Sequence, residues 1–412
     1  MNETLTARLG SAVQDSSGSG ATPTSLSILE ELIGFDTTSC NSNLELIRYV
    51  EDYLSQYGVK SILVNDESGE KANLYATIGP SDRGGVMLSG HTDVVPVEGQ
   101  HWNSDPFVLK RLDDKVFGRG SADMKGFIAC VLNWVPQMVT AKLETPIHIA
   151  LSYDEEVGCI GVRRLLDLMK NMPVVPSMAI IGEPTNMEIV VAHKGKRAIR
   201  VNVRGASAHS AYPTEGVNAV EVAAQLVAHI CEVQRKIEKN GPFDSGFRVP
   251  HTTLHVGTIR GGTALNIVPN ECSFDFEIRH LPEHEIDQII SDIKNFALEH
   301  LEPKMQLKNS DSGIDFTELF GYPPLFTAPN APVVEFVRSL LDGDREAEKI
   351  SFGSEAGLFS RQIGIPAVVC GPGSILQAHR PNEYVSLDQL KLCDSMLRRL
   401  IESLKQESVT DN

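Results

Sequence analysis

The chain has 412 residues, of which 42% are hydrophobic and 22% charged, a balance typical of a folded globular protein that excludes a disordered or fibrous one. Its formal net charge of −17 would repel phosphates and argues against nucleic acid as a partner. No apolar run approaches the ~20 residues of a membrane span, and the first residues lack the apolar core of a secretory signal. We therefore expect a cytoplasmic protein, in which the seven scattered cysteines stay reduced.

The length predicts at least two domains. Residues 1–22 end in a Ser/Gly-rich stretch that is typical of a mobile arm. Residues 23–196 then alternate between helical and strand patterns, with helices predicted at 25–33, 44–57, 127–135 and 162–169 and strands at 61–64, 73–78, 86–89, 147–152 and 178–181. This order predicts an α/β catalytic domain with a mixed, mostly parallel sheet between helices and a site at its carboxyl edge.

The pattern changes near Lys194. Alternating strands are predicted at 198–203, 252–259 and 272–278, a last strand at 305–308, and helices at 217–237 and 283–298. Residues 197–312 are thus expected to form an inserted α+β domain, with a four-stranded sheet and two helices. The α/β pattern resumes in residues 313–412, with a helix at 333–341, a buried strand at 367–370 and a closing helix at 387–404.

The stretch SGHTDVVP, residues 89–96, presents His91 and Asp93 directly after an apolar run. Residues at positions i and i+2 of an extended chain point to the same face. A carboxylate there can accept one ring N–H of the histidine and leave the other nitrogen free for a cation. For an isolated pair, a surface histidine beside an aspartate in a turn is the more common explanation.

Other polar residues stand at the ends of apolar runs in the same way: Asp123 in SADMKG, Glu155 and Glu156 in YDEEVG, Glu183 in GEPT, and His379 in AHRPNEY. Each by itself is more often a helix cap or a solvated charge. Together, such carboxylates at one sheet edge would repel each other, and divalent cations would relieve the repulsion. A set of histidines and carboxylates without thiolate favours zinc or a similar ion. Two ions bridged by one carboxylate need five ligands, which leaves one glutamate as a base.

Five ordered motifs resemble those of the di-zinc family of acetylornithine deacetylase, succinyl-diaminopimelate desuccinylase, aminoacylase and glutamate carboxypeptidase: SGHTDVVP, GRGSADMKG, YDEEVGCIG, IIGEPT and AHRPNEY. The resemblance covers the chain from about residue 24 and implies a zinc-exopeptidase-like fold with two divalent ions, zinc first and cobalt as the alternative. It implies that His91 and Glu183 hold one ion, that Glu156 and His379 hold the other, and that Asp123 bridges them and precedes a cis peptide bond.

The resemblance also implies roles for residues that bind no metal. Asp93 would orient the first histidine ligand, and Glu155 would be the general acid/base. The inserted domain would be a lid or dimerisation domain in a homodimer, from which His209 would stabilise the oxyanion. Asn266 and Arg279 would bind the substrate carboxylate. From the residues alone, a solvent-facing loop histidine and a plain surface arginine are the alternatives.

Residues 351–359, SFGSEAGLF, predict which substrate of the family this chain acts on. They are similar to GTEAGLF of the acetylornithine deacetylases, whereas the GGTSDGR-like stretch of the desuccinylases is absent. Glu355 would then bind the amino group of the substrate side chain; a helix-opening glutamate is the alternative. The resemblance implies removal of acetyl from N2-acetyl-L-ornithine, giving L-ornithine and acetate for arginine biosynthesis, by a metal-bridged water with Glu155 as the base. A desuccinylase, a broader N-acyl-amino-acid deacylase and a non-catalytic metal-binding relative remain alternatives.

Overall fold

The computed structural model describes residues 24–343 and 345–406, so the predicted arm of residues 1–22 lies outside the described part. The strands β1 to β16 are Ser61–Asn65, Ala72–Ile78, Val86–His91, Lys110–Leu112, Lys115–Phe117, Ile147–Ser152, Met178–Ile181, Ile189–His193, Gly195–Arg204, Thr253–Gly261, Glu271–His280, Gly313–Tyr322, Leu325–Phe326, Ala347–Ile350, Ala367–Val369 and Tyr384–Ser386. The helices α1 to α10 are Ser25–Ile33, Leu44–Gln56, Lys125–Thr140, Val162–Lys170, Ala219–Asn240, Ile286–Phe296, Glu302–Gln306, Pro332–Leu340, Ala356–Leu358 and Leu387–Leu404. Over the described residues, no helix combines the length and the apolar composition needed to cross a membrane.

The larger sheet has nine strands in the order β1-β2-β6-β3-β7-β15-β8-β13, and β14 pairs with β8. Its central strands β6, β3, β7 and β15 run parallel to one another, whereas β2 and β8 flank them in antiparallel orientation. This arrangement confirms the predicted mixed sheet. Because parallel strands end on the same side, the carboxyl ends of β3, β6 and β7 meet at one edge.

Two hydrophobic layers cover the central strands, which explains why most residues of these strands are apolar. In β3, Leu88 packs into one layer with α1, α3 and α10, and Met87 packs into the other layer with α4. In β6, Ile149 and Ala150 divide in the same way. Successive side chains of a strand point to opposite faces, so a strand buried on both faces needs an apolar residue at every position.

The smaller sheet is antiparallel, with the order β10-β11-β9-β12, and has a hydrophobic core of its own. The inward residues of β11, Phe274 and Phe276 among them, pack with Leu226 of α5 and Ile293 of α6. The outward residues of β11 are only half-buried, and this alternation is what the sequence pattern indicated. The predicted separate unit of four strands and two helices is confirmed.

The fourth strand of the smaller sheet corrects the prediction. Residues 305–308 are not a strand, because the helical run that begins with α6 continues through a π-helical turn at residues 297–301 into α7, and residues 307–308 form a turn. The strand is β12, which pairs with β9, so this sheet extends to Tyr322, beyond the predicted boundary at residue 312. A register shift between Glu318 and Phe320 interrupts the alternation of β12 and concealed it in the sequence.

A third, small antiparallel sheet has the order β16-β5-β4. It pairs Tyr384 with Phe117 and so joins the segment after His379 to the segment that precedes Asp123. Two of the segments that carry predicted ligands are therefore neighbours in the fold, although more than half of the chain separates them in sequence.

Close packing around Gly182, between β7 and Glu183, generates a stability prediction. A Cβ atom at Gly182 would lie 2.0 Å from Cγ of Phe127, which is almost fully buried. We expect Gly182→Ala to lower the melting temperature by an amount that corresponds to about 1–3 kcal/mol. Gly257→Ala is the control, because the nearest atom to its added Cβ lies 3.8 Å away. Equal melting temperatures for the two variants, measured by differential scanning calorimetry, would contradict this packing argument.

Candidate metal centre

The five predicted ligands come from different elements and converge at the carboxyl edge of the larger sheet. His91 is the last residue of β3, Glu156 follows β6, and Glu183 follows β7. Asp123 lies in the turn before α3, and His379 lies in the loop between β15 and β16. Parallel strands place the first three side chains side by side, while the other two depend on loops.

The ligand atoms form two groups that share Asp123. Nε2 of His91 lies 3.0 Å from Oδ1 of Asp123 and 3.8 Å from Oε1 of Glu183. Nε2 of His379 lies 3.4 Å from Oδ2 of Asp123 and 3.0 Å from Oε2 of Glu156. Within each group the ligand atoms all lie within 4.8 Å of one another. One carboxylate oxygen of Asp123 therefore faces each group, and the two groups have the same members as the two predicted ligand sets.

The charges of the donor set fit divalent cations. Asp123, Glu156 and Glu183 are buried or nearly so, and in the described part of the chain no lysine or arginine forms an ion pair with them. Burial, together with the charge of Asp123, raises the pKa of Glu156 to about 7 and that of Glu183 well above its usual range. Buried carboxylates without a cation are unfavourable, and divalent ions would supply the missing positive charge.

Backbone geometry at two of the ligands is unusual. The peptide bond between Asp123 and Met124 is cis, which confirms the prediction. His379 has a positive φ of 61°, in the left-handed region that few non-glycine residues adopt. Both features lie at ligands that loops supply, where no strand sets the direction of the side chain.

Asp93 contacts His91 through its backbone carbonyl oxygen and, at a longer distance, through its carboxylate. Nδ1 of His91 lies 2.9 Å from the backbone carbonyl oxygen of Asp93, whereas the carboxylate oxygen is 3.6 Å away, too far for a good hydrogen bond. Nδ1 can donate to this carbonyl only when it carries a proton, and in the neutral imidazole Nε2 then has its lone pair free for a cation. The carboxylate instead accepts hydrogen bonds from the backbone N–H groups of Glu155 and Glu156, at 3.0 and 3.2 Å, and from the Ser39 hydroxyl. It holds the loop after β6.

Glu155 belongs to neither ligand group. Its Oε1 lies 3.2 Å from Sγ of Cys159, which can donate a hydrogen bond. Burial raises the pKa of Glu155 to about 8, so its carboxylate is a stronger base than an exposed glutamate. The preceding residue, Asp154, forms an ion pair with Lys71, with Oδ1 2.6 Å from Nζ, and this contact holds the loop in place. A carboxylate so placed can take up and release a proton near neutral pH.

Glu355 is a second buried carboxylate near Glu155. Its side chain is 1% exposed, and its charge adds to the burial that raises the pKa of Glu155. It stands just before α9 but makes no capping hydrogen bond, which weakens the alternative of a helix-opening glutamate. Its Oε1 has no hydrogen-bond partner among the described residues, and burial raises its own pKa to about 7. Such a carboxylate suits a cationic ligand group.

The three predicted residues of the inserted domain contact other residues of that domain. His209 is exposed and pairs with Ile267, and the carbonyl oxygen of Asn266 accepts a hydrogen bond from the Ser210 backbone, so His209 and Asn266 are neighbours. Arg279 is half-buried and donates from Nε to Glu277 at 2.9 Å. Among the described residues no hydrogen bond or ion pair links these three to a predicted ligand.

Two residues of the site were not predicted. Cys159 contacts the proposed base, and its place in YDEEVGCIG, four residues after Glu155, was the available signal. Ser39 donates to the Asp93 carboxylate at 2.7 Å from a loop that lies 54 residues earlier in the chain. Nothing in the local sequence of Ser39 indicates this contact.

Comparison with known proteins identifies the family. The chain matches the profile of Peptidase family M20/M25/M40 over residues 87–403. It is 33% identical over 387 residues to an acetylornithine deacetylase of Pasteurella multocida (strain Pm70), covering 92% of this chain and 97% of that protein. It is 32% identical over 371 residues to an acetylornithine deacetylase of Photorhabdus laumondii subsp. laumondii, covering 89% and 92%.

Solved structures agree on the fold. An M20 family metallo-carboxypeptidase, Sso-CP2 from Sulfolobus solfataricus, superposes with a TM-score of 0.72 at 18% identity, covering 92% of this chain and 99% of that one. The family resemblance of the five motifs is thereby confirmed, and with it the expectation of an enzyme that hydrolyses its substrate. The chain belongs to Peptidase family M20/M25/M40 and is a metal-dependent amidohydrolase.

Proposed function

We propose that this hydrolase removes the acetyl group from N2-acetyl-L-ornithine and releases L-ornithine and acetate. The observation that carries the proposal is the pair of ligand groups that share Asp123, beside a Glu155 carboxylate that belongs to neither group. The choice of acetylornithine is supported by the names of the two relatives, which are both acetylornithine deacetylases.

The five ligands would hold two divalent ions, zinc first and cobalt as the alternative, because histidine and carboxylate donors without thiolate suit these metals. His91 and Glu183 would serve one ion, Glu156 and His379 the other, and Asp123 both. When bound, the ions would lower the pKa of a water molecule and polarise the acetyl carbonyl group.

Glu155 would move the proton. As the water oxygen bonds to the acetyl carbon, the Glu155 carboxylate takes a proton from that water. When the carbon–nitrogen bond breaks, the same carboxyl group gives the proton to the nitrogen of ornithine. The second water proton remains on the acetic acid that forms and is lost as this acid ionises to acetate. Burial raises the pKa of Glu155, so its carboxyl group can hold the proton taken from water until the nitrogen accepts it.

Glu355 would select the substrate. Its buried Oε1 lacks a partner among the described residues, and the side-chain ammonium group of ornithine would supply one. In the inserted domain, Arg279 and Asn266 are our candidates for binding the substrate carboxylate, and His209 for stabilising the oxyanion. Because His209 is exposed and away from the ligand groups, this role requires closure of the inserted domain or a second copy of the chain in a homodimer.

The metal assignment predicts two ions per chain and one in His379→Ala, because the variant loses one of three ligands in its group. Metal content after reconstitution with zinc, measured by mass spectrometry of the folded protein, checks this. His255→Ala is the control, since His255 is exposed on β10 and should leave the stoichiometry at two. Two ions in both variants would remove His379 from the ligand set.

The role of Glu155 predicts that Glu155→Gln keeps both ions and lowers kcat about 10²- to 10⁴-fold, because the amide cannot accept the proton. Glu156→Gln provides the matched comparison on the adjacent residue and should lose an ion as well as activity. Steady-state kinetics and metal analysis of both variants separate the two roles. Unchanged turnover in Glu155→Gln would exclude Glu155 from proton transfer.

The role of Glu355 predicts a selective loss in Glu355→Gln. The kcat/KM for N2-acetylornithine should fall at least ~10-fold relative to that for N-acetylmethionine, because only the first substrate carries a side-chain ammonium group. Taking the ratio cancels any effect of the change on the nearby Glu155. A wild-type panel that includes N-succinyl-diaminopimelate tests the assignment itself, and far faster turnover of another acyl amino acid would refute it.

A further inference from the structure

A buried ion pair lies between the two loops that carry Asp123 and His379. Arg119 and Glu383 are each 1% exposed, and Nη1 of Arg119 lies 2.8 Å from Oε2 of Glu383. Arg119 precedes Asp123 by four residues, and Glu383 follows His379 by four residues. Neither belongs to a ligand group.

The Glu383 carboxylate fixes the backbone of the turn that leads to Asp123. Its Oε1 accepts hydrogen bonds from the backbone N–H groups of Ala122 and Asp123, at 2.9 and 3.1 Å. Its Oε2 accepts from the backbone of Gly120 at 3.1 Å and from the Arg119 side chain. Hydrogen bonds to an ionised carboxylate are among the stronger ones in proteins, and here three of them hold consecutive parts of one turn.

The Arg119 guanidinium reaches the loop of the second histidine ligand. Nη1 donates to the carbonyl oxygen of Arg380 at 3.3 Å, and Nη2 donates to Oε1 of Gln100 at 2.6 Å. Gln100 in turn donates from Nε2 to the carbonyl oxygen of His379 at 3.3 Å. The loop that supplies His379 is thus held at that residue and at the next one.

A buried ion pair is weak evidence for stability, because desolvation offsets most of the attraction between the charges. The Arg119–Glu383 pair has a clearer geometric consequence, since it ties the two loops together beyond Tyr384 and Phe117, where the strand pairing of β16 and β5 ends. We infer that Arg119 and Glu383 are positioning residues that hold Asp123 and His379 at the separation required for the ion of the Asp123, Glu156 and His379 group. This inference rests on the proposed metal centre.

The test is a metal titration of the Glu383→Gln variant. A glutamine side chain keeps one acceptor oxygen, so at most two of the four hydrogen bonds survive, and its NH₂ group then faces donors, either Arg119 with Gly120 or the N–H groups of Ala122 and Asp123. Metal-free protein is titrated with Co²⁺, followed by visible absorption, and with Zn²⁺, followed by calorimetry. We expect the wild type to bind two ions, and the variant to bind one normally and the second ~10–100-fold more weakly. Second-ion affinity within twofold of the wild type would overturn the inference.

Two further variants separate positioning from general destabilisation. Asp394 is a partly buried carboxylate that accepts hydrogen bonds from Ser25 and Trp134 at 2.7 and 2.9 Å. Asp394→Asn should lower the melting temperature and leave both metal affinities unchanged. An equal loss of second-ion affinity in Asp394→Asn and Glu383→Gln would overturn the inference, because it would reflect instability alone.

Gln100→Ala keeps the inference testable if Glu383→Gln does not fold. Gln100 is only half-buried, so its truncation leaves the core intact and removes one tie to the His379 loop. We expect a weakening of the second ion by several-fold (about 3- to 10-fold) without a change in melting temperature. No weakening would overturn the inference.

Wild-type protein that binds fewer than two ions would refute the proposed metal centre as well. Two ions in the wild type, with equal affinities in the variants, would refute only the positioning role.

Discussion

Repulsion among buried carboxylates is the constraint on which the site depends. Asp123, Glu156 and Glu183 converge at one edge of the larger sheet, and among the described residues no lysine or arginine pairs with them. Burial raises the pKa of Glu156 and of Glu183, so a scaffold free to relax would separate these groups. The fold prevents this, because His91 and the residues after β6 and β7 are attached to strands packed on both faces.

Where strands do not supply the ligands, carboxylates that bind no metal hold the backbone in place. The Asp93 carboxylate accepts hydrogen bonds from the backbone N–H groups of Glu155 and Glu156 and thereby fixes the loop that follows β6. The Glu383 carboxylate accepts hydrogen bonds from the backbone N–H groups of Gly120, Ala122 and Asp123, which form the turn that leads to α3. In both cases an acidic side chain is neutralised by peptide dipoles, which spares the site another free negative charge and gives the neighbouring residues a defined direction.

The two units of the chain carry different residues of the proposed site. The larger sheet carries the predicted ligands, Glu155 and Glu355. Arg279 lies on a strand of the smaller sheet, which has its own hydrophobic core, and His209 lies in the loop that follows strand β9 of that sheet. A separate core allows the second unit to move as a body, since its internal packing does not depend on the first. In the proposed function, the chemistry would stay at the larger sheet, and the smaller unit would control access and substrate binding.

The sequence alone determined the long elements and the ligand types. β6, β7 and α10 have the bounds that their apolar patterns predicted, and each of the five ligands follows an apolar run or lies in a motif. Only the tertiary structure decided which donor meets which acceptor. The Asp93 carboxylate accepts a hydrogen bond from the backbone of Glu155, and the Glu383 carboxylate accepts one from the turn at Asp123, 260 residues earlier. The physical reason is that hydrogen bonds between loops leave no periodic pattern in the sequence, whereas burial of a helix or strand does.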